Sequence, residues 1–136
     1  MQKIFITLLF CLVFSKQGIA QHLPTADTIV YTKVSVEAAF PGGDAGWRDY
    51  LMKNLKANVP VKKKAPAGVY RVVVRFIVST DGTLTDIEAE TAHGYGMEEE
   101  VIRIIKKGPK WTPAMIDNKP VNAYRRQPVT FAVEEK

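Results

Sequence analysis

Tyr70, Val72, Val74, Phe76 and Val78 are large side chains on alternate positions, and an extended chain places all of them on one face. No other stretch constrains the fold as much as this one, which continues to Thr91. Asp81-Gly82 follows in a short polar break, where glycine tolerates positive φ. Leu84 to Thr91 then alternates again, with Asp86, Glu88 and Glu90 opposite Ile87 and Ala89. The two halves predict an antiparallel hairpin with one face buried and one wet. The rest of the chain must cover the dry face and pair with the hairpin's edge.

Two helices are expected to supply the cover. Phe40-Pro41-Gly42-Gly43-Asp44 stops extended structure, and Asp44 is placed as an N-cap with Phe40 stapling the helix start. Trp47, Tyr50, Leu51 and Leu55 recur at helical spacing, with Arg48, Asp49, Lys53 and Asn54 on the other side. Val59-Pro60 ends that element, and Lys62-Lys63-Lys64 reads as a solvated connector. After the hairpin, Met97 to Lys107 is the clearest helix. It has Glu98, Glu99 and Glu100 in its first turn, Lys106 and Lys107 in its last, and Met97, Val101, Ile104 and Ile105 as an apolar face. Gly108-Pro109 terminates it.

Trp111-Thr112-Pro113-Ala114 and Asp117-Asn118-Lys119-Pro120 read as turns, and Val121 to Val133 as a last strand with Val129, Phe131 and Val133 on one face. Pro128 lies inside it, and a residue without an N–H belongs at a sheet edge or a bulge. The expected fold class is α+β: a two-layer domain of one three-stranded antiparallel sheet covered on one face by two helices. Trp47, Phe76, Trp111 and Phe131 are its expected structural core. Trp111 is assigned there rather than to a ligand because an indole carries about 150–250 Å² of surface that favours burial.

At the other end, Lys3 precedes an apolar run from Ile4 to Phe14, and Gly18-Ile19-Ala20 ends in small residues. This is the pattern of a secretory signal peptide cleaved between Ala20 and Gln21. The run is short of the roughly 20 apolar residues of a spanning helix. Bulky Phe10 before Cys11 also argues against a lipidated cysteine. The expected organisation is a signal peptide over 1–20, a tether over 21–36 and a domain over 37–136. No transmembrane anchor is expected after cleavage. Ile29-Val30-Tyr31 within the tether could add loosely to the sheet. Cleavage removes Lys3, Lys16 and Cys11, leaving a mildly basic chain without thiol chemistry. That charge does not imply a nucleic-acid partner.

Catalytic constellations are thin. Besides His22, His93 is the one other histidine, no His pair has metal spacing, and no G-x-S-x-G surrounds Ser35 or Ser79. Asp86, Glu88 and Glu90 share a strand face but lack a glycine-centred ligand loop. Gly94-x-Gly96 before a helix has the form of a phosphate nest, yet three glutamates follow in the next turn. No enzyme activity, metal site or cofactor is expected.

Together these motifs resemble the C-terminal domain of the TonB family. The likeness rests on Phe76-x-Val78-x-x-Asp81-Gly82-x-Leu84-x-Asp86, the helix bearing Glu99, Val101 and Arg103, Pro109-x-Trp111-x-Pro113-Ala114, and Pro128-Val129-x-Phe131. Phe40-Pro41-Gly42-Gly43 resembles the lead-in of one branch, and the likeness covers roughly residues 37 to 133. The resemblance implies a periplasmic domain whose last strand pairs with a TonB box-like peptide at the N-terminus of an outer-membrane transporter, in support of transmembrane transport. Mapped onto this chain, the docking edge is Tyr124, Arg125, Arg126, Gln127, Pro128, Val129 and Thr130. The chain departs from the family in lacking a membrane helix and a long Pro-rich spacer, so it is not expected to transduce energy by itself. Val59 also stands before Pro60 where many relatives carry tyrosine. A second reading remains open: an assembly domain that self-associates as a homodimer through the same edge.

Overall fold

The computed structural model describes residues 28–136. The expected leader, its cleavage point, Cys11, His22 and the first part of the expected tether lie outside the described residues. In chain order the elements are α1 (Gly43–Asn54), α2 (Val59–Lys62), β1 (Gly68–Val78), β2 (Leu84–Ala89), α3 (Met97–Lys107), β3 (Ala114–Ile116), β4 (Lys119–Val121) and β5 (Ala123–Val133). An antiparallel sheet of order β2-β1-β5 carries α3 on its inner face, which is the α+β arrangement expected. Val72, Val74, Phe76 and Val78 are fully buried, Tyr70 packs against the same core, and Ala123, Val129 and Phe131 extend it across β5.

The hairpin forms, with one departure from strict alternation. Ile77 pairs with Thr85, but Arg75 pairs with Glu88, so Asp86 and Ile87 together oppose Phe76. Asp86 takes φ 51° to make this bulge, a conformation that aspartate tolerates better than most residues. The extra residue switches the parity of β2. Leu84 lies opposite Val78 and Ala89 opposite Val74, so both fall on the inner face, and Leu84 and Ile87 pack against the core. Unbroken alternation would have turned Leu84 to water. At the hairpin tip, Gly82 adopts φ 85° and its carbonyl accepts the Trp111 N–H at 3.0 Å. A Cβ there would collide with the Trp111 carbonyl oxygen.

α3 has the expected bounds, but its N-terminus is organised differently. Glu98 and Glu100 are buried rather than solvated. The Glu98 carboxylate accepts the N–H groups of His93 at 2.6 Å and Gly94 at 3.1 Å and the Thr91 hydroxyl at 3.2 Å. The nest suggested by Gly94-x-Gly96 is therefore filled by the chain's own carboxylate. Glu100 ties α3 to the end of α1. It accepts the Lys56 N–H at 2.8 Å and a two-pronged bond from Arg103, whose Nη2 also donates to Asn54 O at 3.0 Å. Burial pushes the Glu100 carboxyl up, but the Arg103 and Lys56 bonds outweigh it and hold the carboxyl below its ordinary value.

α1 begins at Gly42, a left-handed cap with φ 81°, so Asp44 sits in the first turn and is not the N-cap. Phe40 packs on Trp47 and Tyr50 with ring centroids 5.4 and 5.1 Å apart. Trp111 joins them, 4.9 Å from Phe76 and 5.7 Å from Phe40. This aromatic cluster closes one end of the core; Trp47, Phe76, Trp111 and Phe131 are each at most 7 % exposed. Two short elements correct the sequence reading. Val59–Lys62 is a single-turn helix with Pro60 in its first turn. Asp117 and Asn118, both at positive φ, turn β3 into β4 as a second small hairpin.

Candidate functional site

The register of the sheet decides which backbone groups of β5 are free. The Glu90 N–H donates to Val73 O at 2.8 Å, so Val73 directs its polar groups toward β2. Val73 is opposite Pro128. In an antiparallel pair hydrogen-bonded and non-hydrogen-bonded positions alternate. It follows that Ala123, Arg125, Gln127, Val129, Phe131 and Val133 bond to β1. Tyr124, Arg126, Pro128, Thr130 and Ala132 direct N–H and C=O away from the sheet. The Tyr124 N–H confirms this parity by donating outward, to Tyr31 O at 3.0 Å. Pro128 sits at an outward position, so its missing N–H breaks no rung with β1. The Gln127 Nε2 donates to its carbonyl at 3.3 Å.

β5 is an edge strand, and no strand among the described residues pairs beyond Tyr124 with its outward groups. The side chains of Arg126 and Thr130 are exposed, Tyr124, Arg125 and Pro128 are half-buried, and Gln127 and Val129 are buried. The candidate residues thus separate into two sets. Tyr124, Arg126, Pro128 and Thr130 face outward through their main chain, while Arg125, Gln127 and Val129 hold the strand to the sheet and the core.

Both arginines are already paired within the chain. The Arg126 Nε donates to both Glu90 oxygens, at 2.8 and 2.9 Å. Arg125 lies 3.6 Å from Glu37. On the helix-free face Arg75 bridges Glu88 at 3.3 Å and stands 5.0 Å over the Tyr124 ring. Glu88 and Glu90 are thereby half of a charge ladder across the strands rather than a merely solvated face. At its far end the edge meets a groove beneath α2 lined by Ala57, Asn58, Val61 and Ala132.

Three participants were outside the sequence-based site: Tyr31, Glu37 and Glu90. The apolar Ile29-Val30-Tyr31 patch was the signal for the first, and nothing local marks the other two. Among the described residues no group of His, Cys, Asp and Glu could hold a metal ion, and no helix is long and apolar enough to cross a membrane. Residues 70–133 match the family model described as Gram-negative bacterial TonB protein C-terminal. No curated protein and no solved structure matches the chain.

Proposed function

Because the chain belongs, over residues 70–133, to the TonB C-terminal domain family, we propose that it works in the periplasm by docking an extended peptide along β5, the N-terminal segment of an outer-membrane transporter. The family is a non-catalytic protein-interaction domain of the cell envelope, which gives the broad role. The observation that supports the finer reading is the row of outward main-chain groups at Arg126, Pro128, Thr130 and Ala132 with no strand beside it. Strand addition draws affinity from such groups and specificity from alternate side chains. With Arg125 and Arg126 already paired, the main chain carries recognition and charge steering contributes little.

Self-association through the same edge is the competing use. A symmetric antiparallel pair centred on Pro128 would set two residues without N–H groups against each other, which disfavours that arrangement. Titrating N-terminal peptides of co-expressed outer-membrane transporters into wild-type protein, Arg126→Pro and Thr130→Pro separates the readings. Loss of peptide affinity in both variants, with a size that does not change with concentration, is the expected result. Peptide affinity unchanged in both variants would remove β5 as the docking edge.

A further inference from the structure

The β5 edge is not bare along its whole length. The Tyr31 N–H donates to Asn122 O at 2.8 Å and Tyr31 O accepts the Tyr124 N–H at 3.0 Å, which makes Tyr31 a parallel neighbour of Ala123. That pairing lasts one residue. The chain then bends away, and Ser35 and Val36 bond to Met115 while Ala39 bonds to Thr112. Glu37 returns to Arg125 across 3.6 Å, with the glutamate side chain 61 % exposed. One end of the row of outward groups is therefore occupied by the chain itself, and the rest faces no strand.

We propose that Tyr31 is a displaceable rung: an intramolecular strand that holds the Asn122–Tyr124 end of the edge and yields it to a strand supplied from outside. The inference rests on the strand-addition reading above, and it adds a limit on how far along β5 a partner pairs. A single bridge is poorly cooperative, since it fixes several backbone dihedrals for two hydrogen bonds. The Tyr31 ring packs against the core but is only half-buried, and the Arg125–Glu37 ion pair behind it, with its glutamate exposed, is weak in water. By contrast, Val36 and Ala39 bond to Met115 and Thr112 and not to the outward groups of β5. Tyr31 can leave while the segment behind it stays docked. A partner strand that reaches Asn122 makes several consecutive rungs where Tyr31 makes one. A shorter partner ends at Arg126 and leaves Tyr31 in place.

Amide exchange in the full chain reads this without any transporter peptide. In wild type the Tyr124 N–H should exchange more slowly than those of Arg126 and Thr130 and faster than that of Val129, which bonds to β1. Tyr31→Pro removes the donor to Asn122 O and the ring that packs on the core, so the carbonyl that accepts the Tyr124 N–H is no longer held at the edge. Tyr124 should then exchange about as fast as Arg126, while Val129 is unchanged. In wild type the Tyr31 N–H should also exchange faster than those of Val36 and Ala39, because Tyr31 leaves the edge while the segment behind it stays docked. Equal exchange of Tyr124 and Arg126 in wild type would overturn the proposal. So would a Tyr124 amide that stays protected in Tyr31→Pro, or a wild-type Tyr31 amide that exchanges as slowly as those of Val36 and Ala39. If Tyr124 loses its protection in Tyr31→Pro but no transporter peptide binds, the rung stands and the transporter reading falls.

Discussion

β2 and β5 flank the same strand, and the chain treats their outer edges in opposite ways. β2 is 6 residues long and broken by the bulge at Asp86. Leu84 and Ile87 line a groove shared with Ile105, Lys106 and Pro109 at the end of α3, and the loop beyond β2 is pinned by Glu98. β5 is 11 residues long and pairs with β1 without a register break. An edge that is short, bent and crowded cannot template another strand, whereas a long regular one can. Among the described residues, Pro128, the Arg126–Glu90 pair and the Tyr31 rung temper β5. The difference is what the docking proposal builds on: one edge is short and interrupted, and the other is long and regular.

The largest effect should come from the core on which both edges depend. Trp111→Ala removes the indole packed on Phe76, Phe40 and Trp47 and should cost about 3–5 kcal/mol in urea unfolding. The faster exchange of outward β5 amides relative to β1-bonded ones should persist in the folded fraction. A loss below about 1 kcal/mol would mean that Trp111 is not a core residue.

Proline scanning sharpens the comparison within β5 itself. Val129→Pro deletes an N–H that bonds to β1 and a side chain only 4 % exposed, and should cost about 3 kcal/mol or more. Thr130→Pro deletes an outward N–H and should stay within about 1 kcal/mol of wild type by chemical denaturation. Equal losses would contradict the assigned parity.

Acid should loosen the helical cover before it touches the edge. The folded-state pKa of Glu100 is lowered, so its contribution is present above the unfolded-state value and disappears as pH falls through the folded one. Glu100→Gln should cost about 1–3 kcal/mol near neutrality, as expected for buried bonds to a charged group. Its unfolding free energy should also depend less on pH through the acid range. Exchange at Arg126 and Thr130 should be the same in both proteins.

The smallest effect is the most specific to the open edge. Pro128→Ala restores a donor in the outward row, should leave stability within about 0.5 kcal/mol, and should tighten peptide binding by about two- to tenfold. Calorimetric titration against wild type measures it. Unchanged affinity would mean that the partner strand does not cross residue 128.

Legibility in the sequence followed the range of the interactions. The alternation from Tyr70 to Val78 and the spacing of Met97, Val101, Ile104 and Ile105 are local periodicities, and β1 and α3 appeared where those patterns lie. Pro128 marked an edge because a missing donor is a local fact too, and β5 is an edge strand. The bulge at Asp86 was hidden because alternation alone does not reveal one extra residue. The β3–β4 hairpin was hidden because Pro120 and three-residue strands read as turn. The inward bonding of Glu98, the pairing of Arg126 with Glu90 and the Tyr31 rung all join residues distant in sequence or hinge on how the loop folds back. No spacing rule reaches them. Which β5 N–H groups face outward was likewise invisible until the Glu90–Val73 bond fixed the parity.

The most direct measurement of the central claim is an NMR titration of the full-length protein with N-terminal peptides of co-expressed outer-membrane transporters. Docking by strand addition predicts that the largest amide shifts fall on Arg126, Thr130 and Ala132, with none at Leu84, Ile87 or Ala89 on the opposite edge. Shifts clustered on α3 or along β2, or no shift at millimolar peptide, would contradict it.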